Sequence, residues 1–431
     1  MAIAEFIIRD VFSAAPVFLA LIATLGLCLQ KKPAGEVLTG ALKTALGAVL
    51  LQQGVAILID SFTPLAGAFA IIFPATWMPE VPPSVVTENF MAQHSMEIGV
   101  AMLLGFILNL LIARYTKWKT VFLTGHMLFW FPYVTVAVAV NNDLSTLGTI
   151  FIATVFTTAY YVIAPNLARP WVRKVTGNDE FTLGHPSVLF VIIGGFFAEH
   201  FGDKKKSTED IKLPKGLLFL KEIALSGAVI MMLMYVVITV FFSIKGYDYS
   251  LLYGLDTTKG IFQFIFVSGL AFGAGLTVLL LGVRLIIAEI IPAFVGIQEK
   301  LIPDAIPAYD CPLLFTYAPN AVIIGFVVSL FVSTITLIAV SALGIFKYTI
   351  IPVVITCFFE NGAAAVVGNA VGGRRGAIIA SAINGVLMIF LMGFSLYFVD
   401  RTIVFWMLGS GGQDFSVLAI MEGLILKLLG H

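Results

Sequence analysis

The segment Pro303-Asp304-Ala305-Ile306-Pro307-Ala308-Tyr309-Asp310-Cys311-Pro312 interrupts an otherwise apolar part of the sequence. With Pro319 shortly after it, the segment holds too many prolines for one continuous helix, because proline lacks the amide proton and clashes with the preceding turn. Asp310 lies inside this interruption, and an ionisable residue at membrane depth is costly and usually marks a solute or ion pathway. The segment therefore predicts a broken element that carries a functional site.

The sequence around this segment is typical of a membrane protein. Hydrophobic residues make up 59% of the 431 positions and charged residues 12%, and the mean hydropathy is +1.01. Runs such as 11–29, 216–242 and 261–285 reach the roughly 20 apolar residues that cross a bilayer. The N-terminus has no signal-peptide pattern, so we expect the first apolar segment to be retained. The sequence predicts an all-α polytopic membrane protein with several broken or re-entrant segments.

Several functional classes are disfavoured by the composition. The formal net charge is zero and the longest block of like charge is Lys204–Lys206, so we expect no nucleic-acid partner. Cys28, Cys311 and Cys357 form no closely spaced pair, which argues against a disulfide framework or a metal site. No glycine-rich phosphate loop or zinc spacing occurs, so we expect neither a cofactor nor a self-contained soluble enzyme domain.

Basic residues indicate which loops face the cytoplasm. The clusters are Lys31-Lys32; Arg114, Lys117 and Lys119; Arg169, Arg173 and Lys174; and Lys204–Lys206 with Lys212 and Lys215. Between Lys174 and Lys204 there is only one short apolar stretch, 187–198, which cannot cross the membrane and also leave both clusters on one side. We expect a re-entrant segment with Gly184-His185-Pro186 near its tip, since irregular backbone is tolerated only inside protein or along a watery cavity.

Interrupted apolar segments occur in both halves of the chain, a pattern typical of transporters built from inverted repeats. We expect one integral-membrane unit, 1–431, made of half-repeats 1–200 and 217–431 joined by a polar cytoplasmic linker, 201–216. Candidate site residues are Thr124 and His126, His185, Asp310, and Asn320 after Pro319. Glu88 and Asn89 follow a bend at Pro82-Pro83 and either cap the next helix or point into the site.

Another interruption is expected near the C-terminal end. We interpret Phe359-Glu360-Asn361-Gly362 as a helix end, followed by the basic turn Gly372-Gly373-Arg374-Arg375. The arginines either orient the chain in the membrane or attract an acidic partner.

Eight motifs occur in the same order as in one known family and cover nearly the whole chain. They are Leu123-Thr124-Gly125-His126-Met127, Gly184-His185, Lys204-Lys205-Lys206-Ser207-Thr208-Glu209-Asp210-Ile211-Lys212-Leu213-Pro214, Gly282-Val283-Arg284, Ala288-Glu289, Leu301-Ile302-Pro303, Asp310-Cys311 and Ala318-Pro319-Asn320-Ala321-Val322. In these motifs the chain resembles the ascorbate branch of phosphotransferase-system enzyme IIC proteins.

The resemblance implies a homodimer in the bacterial cytoplasmic (inner) membrane, with about eleven transmembrane segments per protomer. It implies a V-shaped dimerisation domain and a core domain that moves as a rigid body, in the manner of an elevator. A separate enzyme IIB, phosphorylated on cysteine, would phosphorylate the imported sugar. Because the chain ends at His431 soon after an apolar segment, we expect no fused phosphoryl-carrier domain.

The resemblance also implies that His126, His185 and Asp310 bind substrate. Imidazoles and a carboxylate suit a polyhydroxylated ligand, and Asp310 could also orient or deprotonate the attacking hydroxyl. Structural roles remain open: His126 could bond to a carbonyl of a neighbouring helix, His185 could be a structural residue of a cytoplasmic-side loop, and Asp310 could cap a helix that starts at Pro312. Trp130 and Pro186 stand where ascorbate transporters of this type have glutamines. Two amide groups are therefore missing, and Trp130 offers a flat apolar face for a sugar ring or a less polar ligand.

Two functions outside this family remain open. A proton-coupled secondary transporter of a small polar solute could use Asp310 and His126 as a relay and would need no phosphate. A membrane sensor would bind a solute without moving it.

Overall fold

A computed structural model describes residues 14–72, 90–91, 93–211, 222–248, 260–348, 350 and 354–430. The helices are α1 (Ala15–Leu29), α2 (Ala34–Ile72), α3 (Ser95–Tyr115), α4 (Met127–Asn141), α5 (Thr146–Thr176), α6 (Val188–Phe201), α7 (Ile223–Lys245), α8 (Ile261–Lys300), α9 (Pro312–Phe315), α10 (Pro319–Ala342), α11 (Val354–Ser395), α12 (Val404–Ser410) and α13 (Asp414–Leu428). The strands are β1 (Thr120–Phe122), β2 (Thr182–Leu183) and β3 (Ile306–Tyr309).

Seven helices in the described ranges are long and apolar enough to cross a membrane, and three shorter apolar helices accompany them. The prediction of a mostly helical, multi-pass membrane protein is thereby confirmed. The number of eleven spans stays a prediction, as do the half-repeats. The expected linker, 201–216, is described only as far as residue 211.

The helices form two groups that pack mainly within themselves. The first, here called the scaffold, consists of α1, α2, α7 and α8, with α2 and α8 packed along most of their length. The second, here called the core, contains α3–α6 and α9–α13 together with the strands. Within the described residues, far fewer contacts join the two groups than hold each one together.

Glycines bring the two long scaffold helices into backbone contact. A Cβ atom added at Gly47 would lie 2.8 Å from the carbonyl oxygen of Gly282, and one added at Gly282 would overlap the backbone of Leu51. Small residues at such positions let membrane helices approach closely, which increases dispersion contacts where lipid provides no hydrophobic drive. Lys43 on α2 also contacts Glu289 on α8, with Nζ 2.9 Å from Oε1.

The core contains a small parallel sheet that the sequence analysis did not predict. The strand order is β1-β3-β2, and both outer strands run parallel to β3. The ladder continues past the strand ends, because the amide of Leu123 donates to Ala308 O and the amide of Gly184 donates to Tyr309 O. Prolines prevent a helix here, and the extended segments instead share backbone hydrogen bonds.

The segment between α5 and α6 enters the core and returns to the same end of the molecule. Chain order takes it from Thr176 through β2 into α6, and Lys174 at the end of α5 lies 2.7 Å (Nζ to Oε2) from Glu199 near the end of α6. His185 lies at the inner turn of this path, before α6 begins.

The two arms of α11 fold back on each other at Gly373, which has φ +61°. A Cβ atom at Gly368 would touch Gly376 and Ala380, so the arms pack side by side. The expected basic turn at 372–375 is thus present. The helix end expected at Phe359–Gly362 is wrong, because these residues are helical and the break comes at a glycine able to adopt positive φ.

At the opposite end of the core, the turn after α4 is tied to the chain before α12. The Arg401 guanidinium donates to both carboxylate oxygens of Asp143 at 2.8 Å. These hydrogen bonds and the attraction of Arg401 hold the pKa of Asp143 below its usual value. The pair is exposed and is screened by salt.

We expect Gly282→Ala to lower the melting temperature of the purified protein, because the new methyl group separates α2 from α8. Overpacking of this kind costs about 1–3 kcal/mol, which exceeds the gain of roughly 1 kcal/mol in helix propensity. The measurement is thermal unfolding in detergent. Gly35→Ala is the control, since nothing lies within 4 Å of a Cβ atom there. Equal melting temperatures for the two variants would contradict the close-contact role of Gly282.

Candidate functional site

The candidate site lies where the three parallel strands end. His126 comes four residues after β1, His185 two residues after β2, and Asp310 directly after β3. Because the carboxyl ends of parallel strands share one edge of a sheet, the three loops converge. The sheet therefore brings together residues that lie far apart in the sequence.

Asp310 stands between the two histidines. Its Oδ1 lies 3.4 Å from His185 Nε2 and its Oδ2 lies 3.6 Å from His126 Nε2. Both distances exceed a good hydrogen bond, so all three groups keep capacity for a ligand. The side chains of His185 and Asp310 are 5% and 12% exposed, whereas that of His126 is 29% exposed. The site thus has a buried side and one accessible histidine.

The cap role considered for Asp310 is wrong, because the residue before the helix at Pro312 is Cys311 and, of the described amides, Asp310 Oδ1 accepts only that of Cys311, at 2.7 Å. Among the described residues, Thr124 Oγ1, His185 Nδ1 and Tyr309 Oη are buried without a hydrogen-bond partner. A buried polar atom that finds no partner costs about 1–3 kcal/mol. These free atoms are suited to hydrogen bonds from a ligand rich in hydroxyl groups.

The same three residues could hold a metal ion. One donor atom from each of His126, His185 and Asp310 can be chosen so that all lie within 4.8 Å of one another. Two imidazoles and a carboxylate are acceptable ligands for a divalent transition metal. The absence of a metal stays a prediction of the sequence analysis.

A cavity of about 40 Å³ lies between this cluster and the scaffold. Core residues Thr124, His126 and Asp310 line one wall. Scaffold residues Gln52 and Ile286 line the other. Pockets for small molecules measure about 300–1,000 Å³, so in this conformation the scaffold closes most of the site.

Two further candidates from the sequence lie in other surroundings. Trp130 follows His126 by one helical turn, and its ring stacks on Trp406 at a centroid distance of 5.1 Å. The backbone amide of Asn320 donates a hydrogen bond to Glu209 Oε1 and not to a residue of the histidine cluster. Glu88 and Asn89 lie outside the described residues.

Asn109 on α3 was missed by the sequence analysis, although an amide in an apolar helix is a recognisable signal. Its Nδ2 donates to Thr120 O at 3.1 Å and its Oδ1 accepts the amide of Phe122 at 2.9 Å. The side chain thus pairs with the free edge of β1 as another strand would. This pairing holds the strand that leads to His126.

Asp414 was also missed, because it lies more than 220 positions after the loop that it holds. Its carboxylate accepts the amides of Val188 and Leu189, both at 3.0 Å, at the start of α6. Tyr160 Oη lies 2.5 Å from Asp414 Oδ2 and 3.1 Å from the carbonyl oxygen of His185. Asp414 caps α6, and together with Tyr160 it fixes the loop that carries His185.

Glu360 and Asn361 add buried polar groups from α11. Glu360 is close enough to Asp310 and Asp414 for their charges to interact. Glu360 Oε2 and both polar side-chain atoms of Asn361 find no hydrogen-bond partner within the described ranges. In the sequence these two residues were interpreted only as a helix end.

Comparisons with known proteins agree with one another. The family model described as PTS system sugar-specific permease component, EIIC-GAT, matches residues 10–413. The Ascorbate-specific PTS system EIIC component of Mycoplasma pneumoniae is 28% identical over 449 aligned positions, which cover 94% of this chain and 68% of that protein.

We expect Asp414→Asn to loosen the His185 loop, because an amide cannot accept both backbone amides as the carboxylate does. Hydrogen–deuterium exchange of peptides covering 184–190 should accelerate by roughly tenfold, which corresponds to about 1.4 kcal/mol. Glu422→Gln is the matched control, since Glu422 is buried on the same helix and its carboxylate oxygens have no partner among the described residues. Equal exchange in both variants would contradict the role of Asp414.

Proposed function

The chain belongs to the family of sugar-specific permease components of phosphotransferase systems, and we propose that it imports ascorbate or a closely related sugar acid. Membership of this family makes the chain a multi-pass transport subunit for a sugar-type substrate that works with an EIIB component. The substrate, the movement and the oligomeric state are the proposed parts.

The cluster of His126, His185 and Asp310 carries this proposal, since the three side chains lie together and two of them, His126 and Asp310, line the cavity. A carboxylate accepts hydrogen bonds from two hydroxyl groups, and each imidazole can donate or accept, so the cluster suits a ligand with several adjacent hydroxyls. The unpartnered hydroxyls of Thr124 and Tyr309 extend the polar surface of the loops. We assign these groups to substrate binding.

Ascorbate is the first candidate, because the Mycoplasma pneumoniae relative is named as specific for it. A related sugar acid is the second, since Trp130 and Pro186 stand where the ascorbate-type pattern has glutamines. Stacking of Trp130 on Trp406 holds an aromatic surface one turn beyond His126. An apolar face of a sugar ring packs well on such a surface.

In the proposed phosphorylation step, a substrate hydroxyl attacks the phosphoryl group carried by EIIB. The new oxygen–phosphorus bond forms as the bond from phosphorus to the carrier's cysteine sulfur breaks, and the hydroxyl proton passes to Asp310. Such a transfer needs mainly positioning and charge stabilisation. Asp310, between two imidazoles, is placed to orient the hydroxyl.

The closed cavity supports a movement of the core relative to the scaffold. Its 40 Å³ cannot hold a sugar-sized molecule, and one wall belongs to each helix group. Few contacts join the groups in the part of the chain that the structure describes, so the core can slide as a rigid body while its sheet stays intact. We propose an elevator-type movement with the scaffold as the dimerisation domain, in the cytoplasmic membrane of a bacterium.

We expect purified wild-type protein to bind L-ascorbate and Asp310→Asn to weaken binding by roughly a hundredfold, since a buried charge-assisted hydrogen bond contributes about 1.5–3 kcal/mol. His185→Gln should weaken it by a smaller factor. The measurement is isothermal titration in detergent. Asp304→Asn is the control, because Asp304 is exposed and asparagine tolerates its φ of +62°. No binding by a folded wild type would exclude ascorbate and leave other sugar acids.

We expect uptake into proteoliposomes to require EIIB and a phosphoryl donor, and to yield phosphorylated product inside. Collapsing the proton gradient with an uncoupler should leave the uptake unchanged, because no ion gradient drives the proposed cycle. Uptake that persists without EIIB and stops with the uncoupler would favour the proton-coupled transporter instead.

A further inference from the structure

A basic cleft lies at the tip of the α11 hairpin, separate from the cavity described above. Its volume is about 510 Å³, and its walls are formed by Asp203, Lys206, Arg374, Arg375, Ile378 and Ile379. All of these residues belong to the core. Lys204 and Lys205 are exposed beside it.

Within the described residues, the cations of the cleft form no ion pair, whereas neighbouring cations do. Arg169 and Arg173 at the end of α5 contact Asp179, and Lys174 contacts Glu199. In the part of the chain that the structure describes, Lys206, Arg374 and Arg375 form no such ion pair, and Asp203 is the one acid lining the cleft. The cleft therefore presents an uncompensated positive charge.

The cleft is held in shape by backbone hydrogen bonds. We call residues 203–211 the strap. Its Asp203 amide donates to Gly372 O, and the Arg374 amide donates to Lys206 O, both at 2.7 Å. The amide of Thr208 donates to Asn369 Oδ1 at 2.8 Å. The strap and the hairpin tip thus form one unit, and a cleft of fixed shape suits a folded partner better than a loose charged tail does.

The strap also reaches the segment that follows the substrate cluster. Glu209 Oε1 accepts the amides of Asn320 and Ala321, at 3.1 and 3.3 Å, at the start of α10. Asp310 lies nine residues before Pro319, where that helix begins. A partner seated in the cleft would therefore contact the strap, which is hydrogen bonded to the start of α10, the helix that follows the segment carrying Asp310.

We propose that this cleft is the docking surface for the phosphorylated carrier protein, and that the carrier binds the moving core and not the scaffold. The inference rests on the proposed function, which requires a carrier. Its partner is a soluble phosphoprotein whose docking face is acidic, because the cleft offers fixed, unpaired guanidinium and ammonium groups. Exposed Ile378 adds apolar surface beside the charges, as is common at protein interfaces.

The test measures binding of phosphorylated EIIB to the full-length protein in nanodiscs of uncharged lipid. Lys206→Glu and Arg375→Glu should each weaken binding by roughly tenfold, and wild-type binding should fall as salt rises from low to physiological strength. Asp203→Asn should strengthen binding, since it removes the acid and keeps an acceptor for the amide of Lys205. Each variant should bind ascorbate as wild type does, which shows that it is folded.

Lys117→Glu is the matched control. Lys117 is an exposed cation of another predicted cytoplasmic loop, outside the cleft, so the same charge change there should leave binding unchanged. If wild type binds the carrier and the cleft variants bind it with the same affinity, the docking surface alone is overturned. If the same substitutions change only the association with anionic lipid, measured separately in nanodiscs that contain it, the cleft is a lipid site and the docking surface is also overturned. A wild type that binds ascorbate but never the carrier overturns both the docking surface and the proposed coupling.

Discussion

The three short strands in the core must satisfy their backbone groups without water. Inside a membrane protein, an unpaired amide or carbonyl has no solvent to bond, so irregular backbone persists only where the protein supplies partners. Here β3 pairs on both sides, and the free edge of β1 is paired by the side chain of Asn109. This pairing fixes where the strands end, and with it the positions of His126, His185 and Asp310.

The same constraint explains the residues that surround the cluster. Helix α6 starts in the interior, and its first amides need acceptors, which Asp414 provides. Tyr160 shares its hydroxyl between Asp414 and the loop carbonyl of His185. The hydrogen bonds that satisfy the backbone of α6 therefore also fix the geometry of the site. A change at Asp414 on α13 alters the loop that carries His185, although the two lie more than 220 positions apart in the sequence.

The division into scaffold and core follows from a contrast in packing. Glycines bring α2 and α8 into backbone contact, which makes the scaffold a rigid surface. Among the described residues, few contacts join the scaffold to the core. The small cavity lies at this boundary, with one wall formed by each group. A site at such a boundary can be opened by relative movement without breaking either group, which suits a transporter more than a receptor of fixed shape.

The sequence by itself determined the multi-pass helical class, the breaks at the prolines, and the identity of the polar residues at depth, because hydropathy and proline sterics act locally. It also indicated that His126, His185 and Asp310 belong together, through the resemblance of their motifs. The tertiary structure alone decided the parallel sheet, the roles of Asn109 and Asp414, and the helical conformation of α11 through Glu360. Strands of two to four residues carry no readable periodicity, and a hydrogen bond across more than 200 positions depends on how the helices pack.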